Sequence, residues 1–346
     1  MIQVKALSRQ TKAWDNFVRG QPDATFCHLA AWRGVIEAAF GHTAHYLTAE
    51  QDGAIVGVLP LVQVKTRLFG HMLISNPFCV YGGPLAADAE AARALADHAA
   101  KLRAELGATA CEFRFLKALP EDWLPEGWQE RNALYVTFRR AIAADDEANL
   151  KSIPRKQRAV VRKGIERGLA VTVDQNVDAL HAIYAESVRN LGTPVFARRY
   201  FRILAAAFRD CMDVVTVRDA GRAVSSVMNF YWRDEVLPYY GGGTPQARAC
   251  FANDLMYWET MRRAAARGCR MFDFGRSKEG TGAFAFKKNW GFTPQPLPYR
   301  FLVAPGQVIP EVNPLNPKYR LMIAAWKRLP VPVANLIGPF LVRGVG

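Results

Sequence analysis

The chain reads as an α/β protein of two tandem halves, each a mixed sheet flanked by helices. Three observations predict this. One order of parts occurs twice, a glycine closes the helix of each copy, and 346 residues exceed what one ordinary core holds.

In the first copy, Asp52-Gly53 turns the chain into Ala54 to Leu61, an apolar strand. Tyr81-Gly82-Gly83 follows, then an alanine-rich helical stretch from Ala89 to Leu106. Gly107 suits the left-handed position that ends a helix, and Cys111 to Phe115 reads as the next strand. In the second copy, Asp219 to Arg222 turns into a strand from Ala223 to Tyr231, and Tyr240-Gly241-Gly242 follows. A helix is predicted from Asn253 to Arg267, closed by Gly268, before the strand Phe272 to Gly275. Gly107 precedes Phe113 by the same interval as Gly268 precedes Phe274. The polar stretch Phe138 to Glu147 reads as the boundary, giving expected domains 1–142 and 143–302 and a proline-rich extension 303–346.

Half the residues are hydrophobic and 22% are charged, the balance of a folded globular chain. The six cysteines form no Cys-x-x-Cys pair and read as reduced, buried small hydrophobes. The six histidines stand at no ligand spacing, so neither a metal nor a bound cofactor is expected. The N-terminus lacks a signal-peptide pattern and no apolar run reaches membrane-spanning length, so a cytoplasmic location is expected. A formal charge of +14 attracts phosphates, whether on RNA, nucleotide sugars, coenzyme A or anionic lipid.

That charge is concentrated between Lys151 and Arg167, where seven basic residues meet one acid, Glu166. The segment reads as one helix capped by Ser152, with Pro154 in its first turn, Gly168 at its stop, and an apolar stripe of Ile153, Val160, Val161 and Ile165. Arg155, Arg158 and Arg162 share a face. Such a run is either a solvated surface or a phosphate site.

Pro238 to Thr244 is glycine-rich at Gly241, Gly242 and Gly243. It is either a bend or a place where backbone N–H groups approach a ligand. It follows neither the nucleoside triphosphate loop nor the dinucleotide fingerprint. The stretch Asp273 to Phe292 carries the most chemistry. A strand exit delivers Arg276, Ser277 and Lys278, a flexible Gly-Thr-Gly segment follows, and Lys287-Lys288 stand among four aromatics. These lysines either reach past apolar neighbours to water or sit beside a reacting carbonyl or phosphate. No histidine follows His181, and no Ser-His-Asp or Cys-His arrangement presents itself, which points to direct transfer. That chemistry needs positioning and a donor to the carbonyl oxygen rather than a nucleophilic side chain.

Ile153 to Gly164, Val188 to Phe196, Tyr239 to Gly243 and Phe272 to Phe292 together resemble the FemAB-like transferases. Within these the chain is similar to the subgroup associated with exosortase (PEP-CTERM) and exopolysaccharide gene clusters. The resemblance spans residues 1–302 and implies two tandem GNAT-like (N-acetyltransferase) domains. It also implies transfer of an acyl or aminoacyl group to an amine on a peptidoglycan, cell-envelope or exopolysaccharide precursor. By the same resemblance, Lys287 stabilises the oxyanion, with Lys288 as second candidate. Lys156, Arg162 and Lys163 contact phosphate, and Tyr240 borders the acceptor channel. Gly242, Arg276 and Lys278 complete the expected substrate-binding set. The co-substrate is aminoacyl-tRNA or acyl-coenzyme A; a coiled-coil insertion and the usual coenzyme A loop are both missing, so the donor stays open.

The extension carries Pro305, Pro310, Pro314, Pro317, Pro330, Pro332 and Pro339. Asn316 to Leu329 reads as a basic amphipathic helix with Leu321, Met322, Ala325 and Trp326 on one side. It either packs on the second domain or lies shallowly in the inner leaflet of a membrane. Beside the FemAB-type transferase stand an acyl-coenzyme A-dependent N-acetyltransferase of the GNAT superfamily, an RNA-binding module using the basic helix, and a non-catalytic scaffold at a membrane surface.

Overall fold

Strand and helix alternate in a computed structural model that describes residues 1–7, 11–132, 134–309 and 317–344. Pro310, Pro314 and Asn316, all read as part of the extension, lie outside the described residues. Two compact units form. One comprises 1–134, 296–313 and 343–346, and the other 135–295 and 314–342.

The first unit is built on β1 (Gln3–Ala6), β2 (Thr43–Gln51), β3 (Ala54–Thr66), β4 (Gly70–Ser75), β5 (Leu85–Ala86), β6 (Ala110–Arg114), β7 (Gln129–Arg131) and β15 (Tyr299–Val303). Their order is β1-β2-β3-β4-β6-β15-β7, with β5 on β3. The helices are α1 (Thr11–Gly20), α2 (Ala31–Phe40) and α3 (Ala89–Glu105). Asp88 caps α3 by accepting from Ala91 N at 2.8 Å, and Ala91, Ala92, Leu95, Ala96 and Ala99 form its buried face. Ala91, Leu95, Ala96 and Ala99 share one buried core with Leu59, Leu73 and Phe113.

The second unit holds β8 (Val136–Ala141), β9 (Ala170–Asp174), β10 (Met212–Asp219), β11 (Arg222–Trp232), β12 (Glu235–Gly243), β13 (Met271–Asp273) and β14 (Pro294–Pro296), ordered β14-β8-β13-β12-β11-β10-β9. Its helices are α4 (Asp146–Ser152), α5 (Arg155–Glu166), α6 (Val177–Leu191), α7 (Arg198–Ala207), α8 (Pro245–Ala249), α9 (Ala252–Ala266), α10 (Gly282–Asn289), α11 (Pro317–Trp326) and α12 (Val331–Val342). Phe138, Val227, Met256, Met261, Phe272 and Trp290 lie in its core. Among the described residues no helix is long and apolar enough to cross a membrane.

The repeated order holds. β4 pairs in parallel with β6 across α3, and β12 with β13 across α8 and α9, because parallel neighbours need a helical crossover. Gly107 and Gly268 follow α3 and α9 with φ of +65° and +82°. The Tyr-Gly-Gly pair differs: Tyr240 lies within β12, whereas Tyr81 to Gly83 lie in the connection between β4 and β5.

Three readings need correction. Phe138 to Ala141 is no boundary loop; it lies in β8, antiparallel to β13, with Phe138 fully buried. Ser152 does not open the basic helix. It ends α4, its hydroxyl donating to Asn149 O at 2.7 Å, because the Ile153-Pro154 step is extended and α5 restarts at Arg155. Ile165 is exposed; Val161 and Gly164 are the buried positions of α5.

Candidate functional site

Phe272 and Phe274 bury the short strand β13 and its exit, and Asp273 between them is buried too. Asp273 meets Arg139 of β8, Nε to Oδ2 at 3.2 Å, and Arg139 also bonds Glu235. Asp273 Oδ1 accepts from Gly275 N at 2.7 Å, which bends the chain sharply after the strand. Gly275 has φ +66°, a conformation that a side chain would strain.

The bend aims two carbonyls at Lys287. Its Nζ donates to Gly275 O at 2.9 Å and Arg276 O at 3.1 Å, and the side chain is 9% exposed. The lysine comes from α10, whose start is set by Thr281. That hydroxyl donates to Lys278 O and accepts from Phe284 N. Burial pushes the Lys287 ammonium down to about 7, against the smaller opposing pull of Asp273. Arg276 and Lys278 both lie over the Tyr135 ring, at 4.6 and 5.3 Å from its centroid. Between them Ser277 exchanges backbone bonds with Val136, while its buried hydroxyl finds no partner among the described residues.

The basic helix is tied to the same place. Asp254 Oδ1 accepts from Gln157 of α5 and, at 3.1 Å, from Trp290 Nε1 at the end of α10. Burial raises the Asp254 carboxyl to about 6. Arg140 Nη1 donates to Ser152 O and Trp290 O, which ties the end of α4, just before α5, to the end of α10. Lys156, Arg162 and Lys163 are exposed on α5.

Residues 149–288 match the acetyltransferase (GNAT) domain family. Among solved structures the chain is similar to FemX, at 17% identity over 93% of this chain and 100% of that one, with a TM-score of 0.68. It is also similar to a tandem GNAT protein from the clavulanic acid biosynthesis pathway, at 14% identity over 89% of this chain and 100% of that one, TM-score 0.56. L-PGS from Bacillus licheniformis is similar at 10% identity over 96% of this chain and 98% of that one, TM-score 0.55. No curated protein matches in sequence. The fold is therefore a tandem GNAT fold, and the matched GNAT segment runs from α4 to Lys288 and includes the basic helix and the β13 exit.

Within the GNAT segment the remaining expected residues separate. Lys288, one helical step from Lys287, points outward over Phe284 at 5.6 Å and is exposed. Gly242 and Gly243 do allow a close approach, but the protein's own helices make it. A Cβ at Gly242 would lie 2.6 Å from Ser187 Cβ of α6, and one at Gly243 would lie 2.0 Å from Asn253 Oδ1 of α9. Tyr240 is buried, with its hydroxyl 2.8 Å from that of Tyr200 and its ring edge-on to Tyr184, Phe196 and Phe201. Sequence reasoning assigned no role to Asp273, Asp254, Arg139 or Tyr135. A carboxylate two residues before a glycine at a strand exit was the available signal for Asp273. The others act through partners far along the chain.

Proposed function

We propose that this protein is an acyltransferase of FemAB type, moving an activated acyl or aminoacyl group to an amine on a cell-envelope or exopolysaccharide precursor. The observation that carries the reading is Lys287, an ammonium held by two carbonyls at a strand exit and brought by burial to the edge of ionisation. Two of its three N–H groups are taken by these carbonyls, and the third is assigned to an acyl oxygen. When the amine attacks, the C–N bond forms, negative charge grows on that oxygen, and the bond to the donor's sulfur or oxygen breaks. A preplaced cation lowers this barrier because it needs no reorganisation as the charge appears. The amine's proton leaves with the departing group or to water.

Lys156, Arg162 and Lys163 would hold the phosphates of the donor, and the Gln157–Asp254–Trp290 link fixes their helix to that of Lys287. Arg276, Lys278 and the unpartnered Ser277 hydroxyl are assigned to substrate as well. The GNAT match supports acyl-coenzyme A as donor, and the FemAB-like resemblance of the sequence keeps aminoacyl-tRNA beside it. A role alongside exosortase and exopolysaccharide clusters, in the cytoplasm, belongs to the same proposal. Mass spectrometry of amine-bearing envelope precursors incubated with each donor class tests the reading. We expect a mass increase with one donor, abolished by Lys287→Met. No transfer from either class, or undiminished transfer by the variant, overturns it.

A further inference from the structure

The C-terminal helices pack one face on the second unit and leave another face exposed. On α12, Ala334, Gly338 and Val342 recur every four residues and are buried, with Gly338 seated against Val195. The opposite face carries Val333, Leu336, Ile337 and Phe340, the spacing of one continuous helical stripe, and all four are exposed. Leu336 is 72% and Phe340 71% exposed. On α11, Trp326 is buried and donates from Nε1 to Thr193 O at 3.1 Å, while Leu321 and Met322 are exposed. Leu321, Met322, Ala325 and Trp326 therefore do not share one side as the sequence pattern implied.

Anchoring one face of a helix while presenting large apolar side chains on the other leaves those side chains in water, a cost that a binding surface removes. From Val312 to Gly346 the chain carries five basic residues and no acidic one. Arg189 of α6 joins them by donating to Lys327 O at 3.1 Å. A second copy of this chain is a poor occupant, because two molecules of formal charge +14 meeting through cation-bearing segments repel. An anionic surface gains from both features. At 12 residues, α12 is about 18 Å long, well short of a bilayer core of about 30 Å, so it can lie in an interface but not span it.

We propose that α11 and α12 form a docking face for an anionic lipid bilayer, with Leu336, Ile337 and Phe340 of α12 entering the headgroup boundary and Lys327 and Arg328 resting on lipid phosphates. Cosedimentation of the full chain with vesicles tests this. Vesicles of phosphatidylcholine containing one third phosphatidylglycerol should pellet the protein, and vesicles of phosphatidylcholine alone should not. The double variant Leu336→Asn/Phe340→Asn should bind at least about tenfold more weakly, with an unchanged melting temperature because both side chains are exposed. Lys327→Gln/Arg328→Gln should lose the preference for phosphatidylglycerol. Equal binding to both vesicles, no binding, or an undiminished apolar double variant overturns the proposal. So does a concentration-dependent dimer in sedimentation velocity that the same double variant abolishes, which would make a second copy the occupant.

Discussion

Each unit places a buried cation at the exit of a parallel-paired strand, Arg114 at the end of β6 and Lys287 of α10 against the chain that leaves β13, and the two cations are treated differently. In the first unit β6 ends at Arg114, whose Nε donates to Glu112 Oε1 at 2.6 Å and whose Nη1 donates to Cys79 O at 3.0 Å. Nearby on the wall of a cavity of about 350 Å³, His28 is buried and neutral. Its Nδ1 accepts from Thr25 N and its Nε2 donates to Gly83 O, both at 3.0 Å. Every charge there is matched or discharged. In the second unit the Lys287 ammonium bonds two carbonyls and lies 5.5 Å from the centroid of the Phe138 ring, and the nearby Asp273 is already bonded to Arg139. One fold thus holds a cation as a structural pair in one half and as an unneutralised group in the other. On the proposed function, desolvation without a bonded carboxylate is what suits Lys287 to the reaction, whereas Arg114 serves as a structural pair.

Arg114→Met gives the largest expected effect. It leaves the Glu112 carboxylate buried without its partner and should cost about 3–5 kcal/mol in chemical denaturation. Lys287→Met should do the reverse, keeping or raising the denaturation midpoint while transfer falls about 100- to 1,000-fold. If both variants lose stability alike, the contrast between the two exits is gone. The pH profile sharpens it. Lys287 carries its proton below about 7, so an oxyanion donor predicts kcat falling as pH rises through that value, and Lys287→Arg should remove this limb.

His28 makes the next contribution, and in stability rather than rate. Its folded value of about 4 lies below the ordinary 6.5, so the unfolded chain takes up the proton first. Stability should therefore fall by about 3 kcal/mol as pH drops from 6.5 to about 4, and His28→Gln should flatten that slope relative to the wild type. The smallest effects belong to the exposed basic residues. Lys156→Ala, Arg162→Ala and Lys163→Ala should each raise KM for a phosphate-bearing donor about three- to tenfold, with kcat little changed and the difference fading in high salt.

The sequence revealed most where the signals were local. The alanine-rich run before Gly107 and the helix before Gly268 needed only neighbours within a few residues, and α3 and α9 fall where they were expected. β8 could not be read that way. Phe138-Arg139-Arg140 looks polar, and its ladder partners, Met271 to Asp273, are remote in the chain. The start of the basic helix was misplaced because Ser152 is a good cap in isolation, whereas the extended backbone at Pro154 determines where α5 begins. At the candidate site, the sequence placed both lysines on one segment but could not tell which of Lys287 and Lys288 is buried. That choice depends on the rotation of α10, set by the Thr281 cap and the packing of Phe286 and Trp290 against Tyr257. Asp273, Arg139 and Gly275 form a unit only once β8 lies beside β13.

The strand β15 adds a consequence for how the chain is made. It lies between β6 and β7, pairing with both, although it is among the last strands to be synthesised. The first sheet therefore stays open along the β6 edge until residue 303 has emerged from the ribosome, long after its other seven strands are available. An open edge of that kind invites strand pairing with other chains. The N-terminal half is thus committed to waiting for the C-terminal half, and a nascent chain stalled before Tyr299 is the form of this protein most exposed to aggregation.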